Sequence, residues 1–239
     1  MRILKYFFGG LTKFEIGLWA GSVILIVISS VVCGRTDYFY VAAALVGATA
    51  LIFVSKGNVL GQVLTVIFSI FYGIISFSYR YYGEMITYLA MTAPIAVASV
   101  VAWLRHPYRE NKAEVQVNRL SAKEYFFIAL LGAGVTIVFY FILRALNTAN
   151  LAVSTFSVLT SFVAVWLTMR RSPLYALAYA LNDIVLIVLW SFAAAESIEY
   201  ISMVVCFVVF LVNDIYGFFN WCRLRRRQKA EEGEEPKDA

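Results

Sequence analysis

The chain has 239 residues, of which 62% are hydrophobic and 15% charged, against about 45–50% apolar and ~25% charged in a soluble domain. The formal charge of +5 sits in connecting segments and the tail. It reads as topology and contact with anionic headgroups, not as a nucleic-acid surface, for which no basic domain exists. Cys33, Cys206 and Cys222 form no CxxC pair, and the single histidine completes no usual zinc site.

Eight apolar stretches follow one another: 16–33, 38–54, 59–79, 83–104, 124–146, 150–169, 174–192 and 199–221. Each is near the ~17–25 residues with which a helix crosses a bilayer, and helices alone satisfy their own backbone there. The expected fold is therefore an all-α integral membrane protein with eight transmembrane helices. Placed by side, seventeen Lys and Arg fall on the face that carries both termini, and three, Arg35, Arg80 and Arg144, on the other. Short basic loops stay in the cytoplasm, so both termini are expected inside.

The first stretch follows basic residues as a signal peptide does, but Val31-Val32-Cys33 is a poor cleavage site. It is read as an uncleaved helix within an N-terminal segment, 1–37. The turn before the third stretch, Val54-Ser55-Lys56-Gly57-Asn58, is short and basic, as is Met169-Arg170-Arg171-Ser172-Pro173 before the seventh. The connections before the fourth and eighth are acidic, with Glu84 in one and Glu196 and Glu199 in the other. Pro94 lies inside the fourth stretch, where its missing donor predicts a bend.

The longest loop, 105–123, splits the rest into two triplets with the fifth stretch between them. Each triplet ends in Trp and basic residues, Trp103-Leu104-Arg105 and Trp221-Cys222-Arg223. One bridging helix restores the starting orientation, so the triplets run parallel, a common transporter plan. The expected organisation is a core over 38–223, made of 38–104, a linking helix at 124–146, and 150–223. The tail, 224–239, is acidic at its end and is expected to be disordered.

Stretch seven contains Asn182-Asp183-Ile184 and then Trp190. Stretch eight contains Asn213-Asp214-Ile215 and then Trp221. A carboxylate at a membrane helix centre costs at least ~2.5–3.5 kcal/mol on insertion scales and usually faces a cavity or a partner. Asn amides suit hydroxyls or a carboxamide. Trp190, seven residues from Asp183 and so on its helical face, offers a ring for stacking or cation–π attraction. The competing readings are helix–helix hydrogen bonds for the Asn residues and interfacial anchoring for Trp190 and Trp221. Asn213, Tyr216 and Asn220 make a further stripe, and Gln62, Tyr72 and Trp166 are additional candidates. No HExxH, GxSxG or P-loop pattern occurs, so no enzymatic function, catalytic residue, metal or cofactor is expected.

Lys56-Gly57-Asn58-Val59-Leu60-Gly61-Gln62, Tyr82-Gly83-Glu84-Met85, Trp103-Leu104-Arg105-His106-Pro107 and Asn213-Asp214-x-Tyr216-Gly217-x-x-Asn220-Trp221 together resemble the PnuC family of bacterial nicotinamide riboside transporters. The resemblance covers about residues 38–223. It implies a fold similar to the SWEET sugar transporters, with two parallel three-helix bundles, a linking helix and one extra N-terminal helix. It implies facilitated diffusion of nicotinamide riboside across the cytoplasmic (inner) membrane, trapping by phosphorylation, and a homotrimer. The expected substrate-binding set is Gln62, Tyr72, Trp166, Asn182, Asp183, Trp190, Asn213, Asp214 and Tyr216. Related branches carry thiamine or deoxynucleosides. A different class, a membrane sensor signalling through 105–123 or the tail, would usually need a folded soluble module larger than this loop.

Overall fold

The structure is a computed structural model and describes residues 10–34, 38–78, 81–109 and 111–233. Arg35 and Arg80, two of the three basic residues assigned to the sparsely charged face, lie outside the described residues, as do Arg2, Lys5 and Lys237.

Eight helices long and apolar enough to cross a membrane are present among the described residues. They are α1 (Lys13–Val32), α2 (Tyr38–Ser55), α3 (Val59–Ser78), α4, α5 (Ala122–Ala145), α6 (Leu151–Met169), α7 (Tyr175–Ala194) and α8 (Ile201–Gly233). α4 runs through an α segment Tyr82–Ile86, a π segment Thr87–Thr92 and an α segment Ala93–Arg105. The bend expected at Pro94 takes this form. Proline sits in the first turn of the last segment, where its missing donor costs least, and the wider π turn absorbs the break just before it. A short 3₁₀ turn, Ile198–Tyr200, precedes α8.

Local sequence sets the helix starts. Thr12 with Glu15, and Ser121 with Glu124, form reciprocal capping boxes at α1 and α5. Between α2 and α3 the chain reverses at Gly57, whose φ of +66° suits glycine. The Asn58 side chain then accepts from Leu60 N at 2.9 Å. At Gly61 a Cβ would lie 2.4 Å from Val54 N, so the motif's second glycine lets α3 start against the end of α2.

The packing is reciprocal. α2 packs on α3 and α3 on α4; α6 packs on α7 and α7 on α8. The two triplets meet through α4 with α6 and α8 with α2, contacts that a two-fold exchange of the triplets turns into each other. Trp103 Nε1 at the end of α4 donates to Thr168 O near the end of α6 at 3.0 Å, and Trp221 Nε1 on α8 donates to Val54 O near the end of α2 at 2.8 Å. The two indoles meet with centroids 5.5 Å apart. α5 packs on α6 and otherwise presents Phe126, Phe127, Leu130, Ile137, Val138 and Phe141 outward.

Two sequence expectations are corrected. The segment 105–123 is not only a loop: β1 (Pro107–Tyr108) and β2 (Asn111–Val115) pair as an antiparallel hairpin. And α8 does not stop at 221: of the tail expected to be disordered, 224–233 are helical to Gly233, and 234–239 lie outside the described residues. Each explains the other. Gln228 on this extension accepts from Val117 N at 2.8 Å and donates to Val115 O and Glu114 at 3.1 Å. Arg227 pairs with Glu114, and Tyr108 donates to Glu231 at 2.6 Å, a bond that raises the Tyr108 pKa. The hairpin also reaches both inter-helix turns, through Val115 N to Gly57 O and Asn118 N to Arg171 O, each 3.0 Å. Burial and the neighbouring Arg170 lower the Arg171 pKa there.

Candidate functional site

Midway through the bundle, between α2, α3, α4, α7 and α8, lies a cavity of about 50 Å³. Of the nine candidates read from the sequence, Gln62, Asn182, Asp183 and Asp214 line it. All four are buried, at 1–4% exposure. Asn182 Oδ1 accepts from Thr160 and Ser161 on α6 at 2.8 and 2.9 Å, which fixes the amide with its nitrogen beside Tyr88. The side chains of Asp183 and Asp214 meet across the α7–α8 contact. Neither pairs with Lys or Arg among the described residues, and none of the described lining residues is basic. Gln62 Oε1 and Asp183 Oδ2 are buried without a hydrogen-bond partner. The cavity is thus a niche lined by a pair of carboxyl groups in an apolar wall, with two buried oxygens still without a partner.

Five candidates sit elsewhere. Trp190 shares the angular face of Asp183 but stands seven residues along the axis, about 10 Å at 1.5 Å per residue. It is fully buried in an aromatic layer above the cavity, donating to Tyr72 Oη at 2.9 Å. Tyr72 belongs to that layer too, 4.4 Å ring to ring from Tyr88. Trp166 packs on Phe162 at 5.4 Å. Asn213 turns away from the cavity and donates to Ser22 Oγ of α1 at 3.0 Å, and Tyr216 donates to Glu15 of α1 at 2.9 Å. Adjacent helical residues point about 100° apart, so Asp214 faces the cavity while the stripe Asn213–Tyr216–Asn220 faces α1 and α2. Asn220 and Trp221 complete the docking by donating to Ser55 O and Val54 O at 2.9 and 2.8 Å. The motif's amides here act as helix–helix bonds, and Trp221 is buried between Trp103 and Tyr175 instead of anchoring at the interface.

The sequence reading passed over Tyr88, Tyr175, Tyr179, Phe207 and Phe210, all of which line the cavity. Tyr175, Tyr179, Asn182 and Asp183 form an i, i+4, i+7, i+8 stripe that helical periodicity makes visible. Glu84 is a further correction. It is not an external loop residue but lies in the first turn of α4 at 1% exposure, accepting from Ser157 Oγ at 2.6 Å.

Comparison with known proteins places this geometry. A solved structure described as the crystal structure of the vitamin B3 transporter PnuC superposes with a TM-score of 0.78 at 25% identity, covering 92% of this chain and 95% of the other. Curated relatives named nicotinamide riboside transporter PnuC are 26% identical in Neisseria mucosa, over 94% of this chain and 86% of that protein, and 22% identical in Haemophilus influenzae, over 95% and 97%. The family model described as nicotinamide mononucleotide transporter matches residues 37–223, most of the chain and both triplets up to the last turns of α8. The chain therefore belongs to the nicotinamide mononucleotide transporter family, a family of multi-pass membrane transporters and not of enzymes.

Proposed function

We propose that the protein carries nicotinamide riboside across the bacterial cytoplasmic membrane by facilitated diffusion. The family description and the relatives' names differ by one phosphate, and the cavity supplies the physical argument between them. Two buried carboxyl groups and no described basic residue line it. A cationic pyridinium is attracted to such a niche, and the aromatic walls add cation–π attraction. A phosphomonoester brings its own negative charge to the two carboxyl groups and finds no Arg or Lys to meet it. Gln62 and Asn182 suit the carboxamide and ribose hydroxyls.

No nucleotide-binding motif offers an energy source, so net entry needs a sink. Cytoplasmic phosphorylation supplies one, because the product gains the charge that the cavity disfavours. The orientation with both termini inside, the core over 38–223 and the homotrimer implied by family resemblance are part of the same proposal. Native mass measurement in detergent reads the last. Thiamine shares a cationic aromatic ring and is the closest competing substrate; deoxynucleosides lack the charge. A sensor role has less support, because the hairpin and the end of α8 are used up binding each other.

The test is a binding panel on purified protein by calorimetry with nicotinamide riboside, nicotinamide mononucleotide, thiamine and a deoxynucleoside. The riboside is expected to bind at least tenfold more tightly than the other three. Preference for the mononucleotide would overturn the electrostatic argument, and preference for thiamine would reassign the substrate.

A further inference from the structure

On the face opposite the termini a second, larger cavity of about 670 Å³ opens between the start of α4, the α5–α6 turn and the α7–α8 connection. Its lining includes Tyr81, Tyr200, Glu196, Asn147 and Asn150. We propose that this vestibule is a separate docking site for a cationic aromatic nucleoside, occupied before the substrate enters the central cavity. The inference rests on the riboside reading above.

Three observations carry it. First, the central cavity, at about 50 Å³, is less than a tenth of the vestibule's about 670 Å³, so the vestibule is the roomier place for an arriving substrate. Second, the vestibule offers what such a substrate needs. Tyr200, half-buried, and Tyr81, buried, both line it, and burial raises the Tyr81 pKa to about 12. Glu196 is exposed and has no ion pair among the described residues. Asn147 and Asn150, both at positive φ, 51° and 52°, are exposed and line it.

Third, the vestibule leads to the central cavity through one continuous stack. Tyr81 and Tyr200 pack on Trp190, with centroids 4.8 and 6.0 Å away. Trp190 donates to Tyr72, Tyr72 packs on Tyr88, and Tyr88 lines the central cavity. The rings that would hold the cation outside therefore touch the rings that close the way in. Glu196 acts as an encounter charge and the tyrosines as the landing surface.

The experiment is initial uptake of labelled nicotinamide riboside into proteoliposomes, at low and high ionic strength, for the parent protein, Glu196→Gln, Tyr200→Phe and Tyr200→Leu. Electrostatic attraction at an exposed site is screened by salt. Vmax/KM of Glu196→Gln is expected to fall about threefold at low ionic strength and to approach the parent value at high salt. Tyr200→Leu is expected to lose about fivefold at both, with Tyr200→Phe close to the parent because it keeps the ring. General damage to the outer loops would not follow ionic strength. A Glu196→Gln protein with the parent's Vmax/KM and the parent's salt dependence overturns the vestibule site while leaving the transport reading intact. Absence of uptake by the parent protein itself overturns the transport reading.

Discussion

Gln62 separates a side chain kept for the ligand from one kept for the fold. Its side chain is 1% exposed and its Oε1 accepts no hydrogen bond. An unmade buried bond costs about 1–3 kcal/mol, so Gln62→Leu, close in size, is predicted to leave the ligand-free protein as stable as the parent or more so. Binding should move the other way. Losing one neutral hydrogen bond to the ligand costs about 1–1.4 kcal/mol, a five- to tenfold weaker Kd. Asn182→Leu is the contrast. Asn182 Oδ1 accepts two hydroxyl bonds from α6, and their loss should destabilise the protein by about 2 kcal/mol at roughly 1 kcal/mol each, while also weakening binding. The assay pairs thermal unfolding in detergent with calorimetric titration of nicotinamide riboside on the same samples. If Gln62→Leu unfolds as early as Asn182→Leu, or binds like the parent, Gln62 is not held in reserve for substrate and the reasoning fails.

Other outcomes follow from the same geometry. Asp214→Asn should weaken binding of the cationic riboside about tenfold, roughly 1.4 kcal/mol, and leave a neutral nucleoside almost unchanged; equal losses for both would remove the charge argument. Trp190→Phe keeps the aromatic layer but not the donor to Tyr72, so the transport rate should change several-fold while equilibrium Kd stays within about twofold, read by uptake and calorimetry together. Asn213→Ala should loosen α1 from α8, lowering thermal stability by about 1 kcal/mol without altering Kd. Gln228→Ala removes three bonds to the hairpin and the residues just after it, and limited proteolysis should cut within 105–123 faster than in the parent. For topology, single-cysteine probes at Lys56 and Lys112 should label only after permeabilisation and one at Ser197 without it.

Much of the fold was legible because hydrophobic length and basic-residue placement are one-dimensional signals. Seven of the eight stretches match their helices within a few residues, and the eighth, read as ending at 221, belongs to a helix that runs on to Gly233. The hairpin and the extended α8 were not legible, because neither is amphipathic enough to signal itself and each exists through bonds to the other, such as Gln228 with Val115 and Val117. The site was legible in part for a related reason. A buried polar residue in a membrane helix announces that it needs a partner, but not whether that partner is a ligand or a helix. Asn182 and Asn213 carry the same three-residue motif. One points into the cavity and the other to Ser22 on a helix 191 residues earlier in sequence. Angular position alone also placed Trp190 with Asp183; the rise along the axis separates them.

The most direct measurement of the central claim is uptake of labelled nicotinamide riboside into sealed proteoliposomes with no ion gradient and no nucleotide. The account predicts saturable entry that stops when the internal and external concentrations are equal, and that is abolished when Asp183 and Asp214 are both replaced by leucine in protein that still folds. Entry no faster than in protein-free liposomes, or accumulation beyond the external concentration, would contradict it.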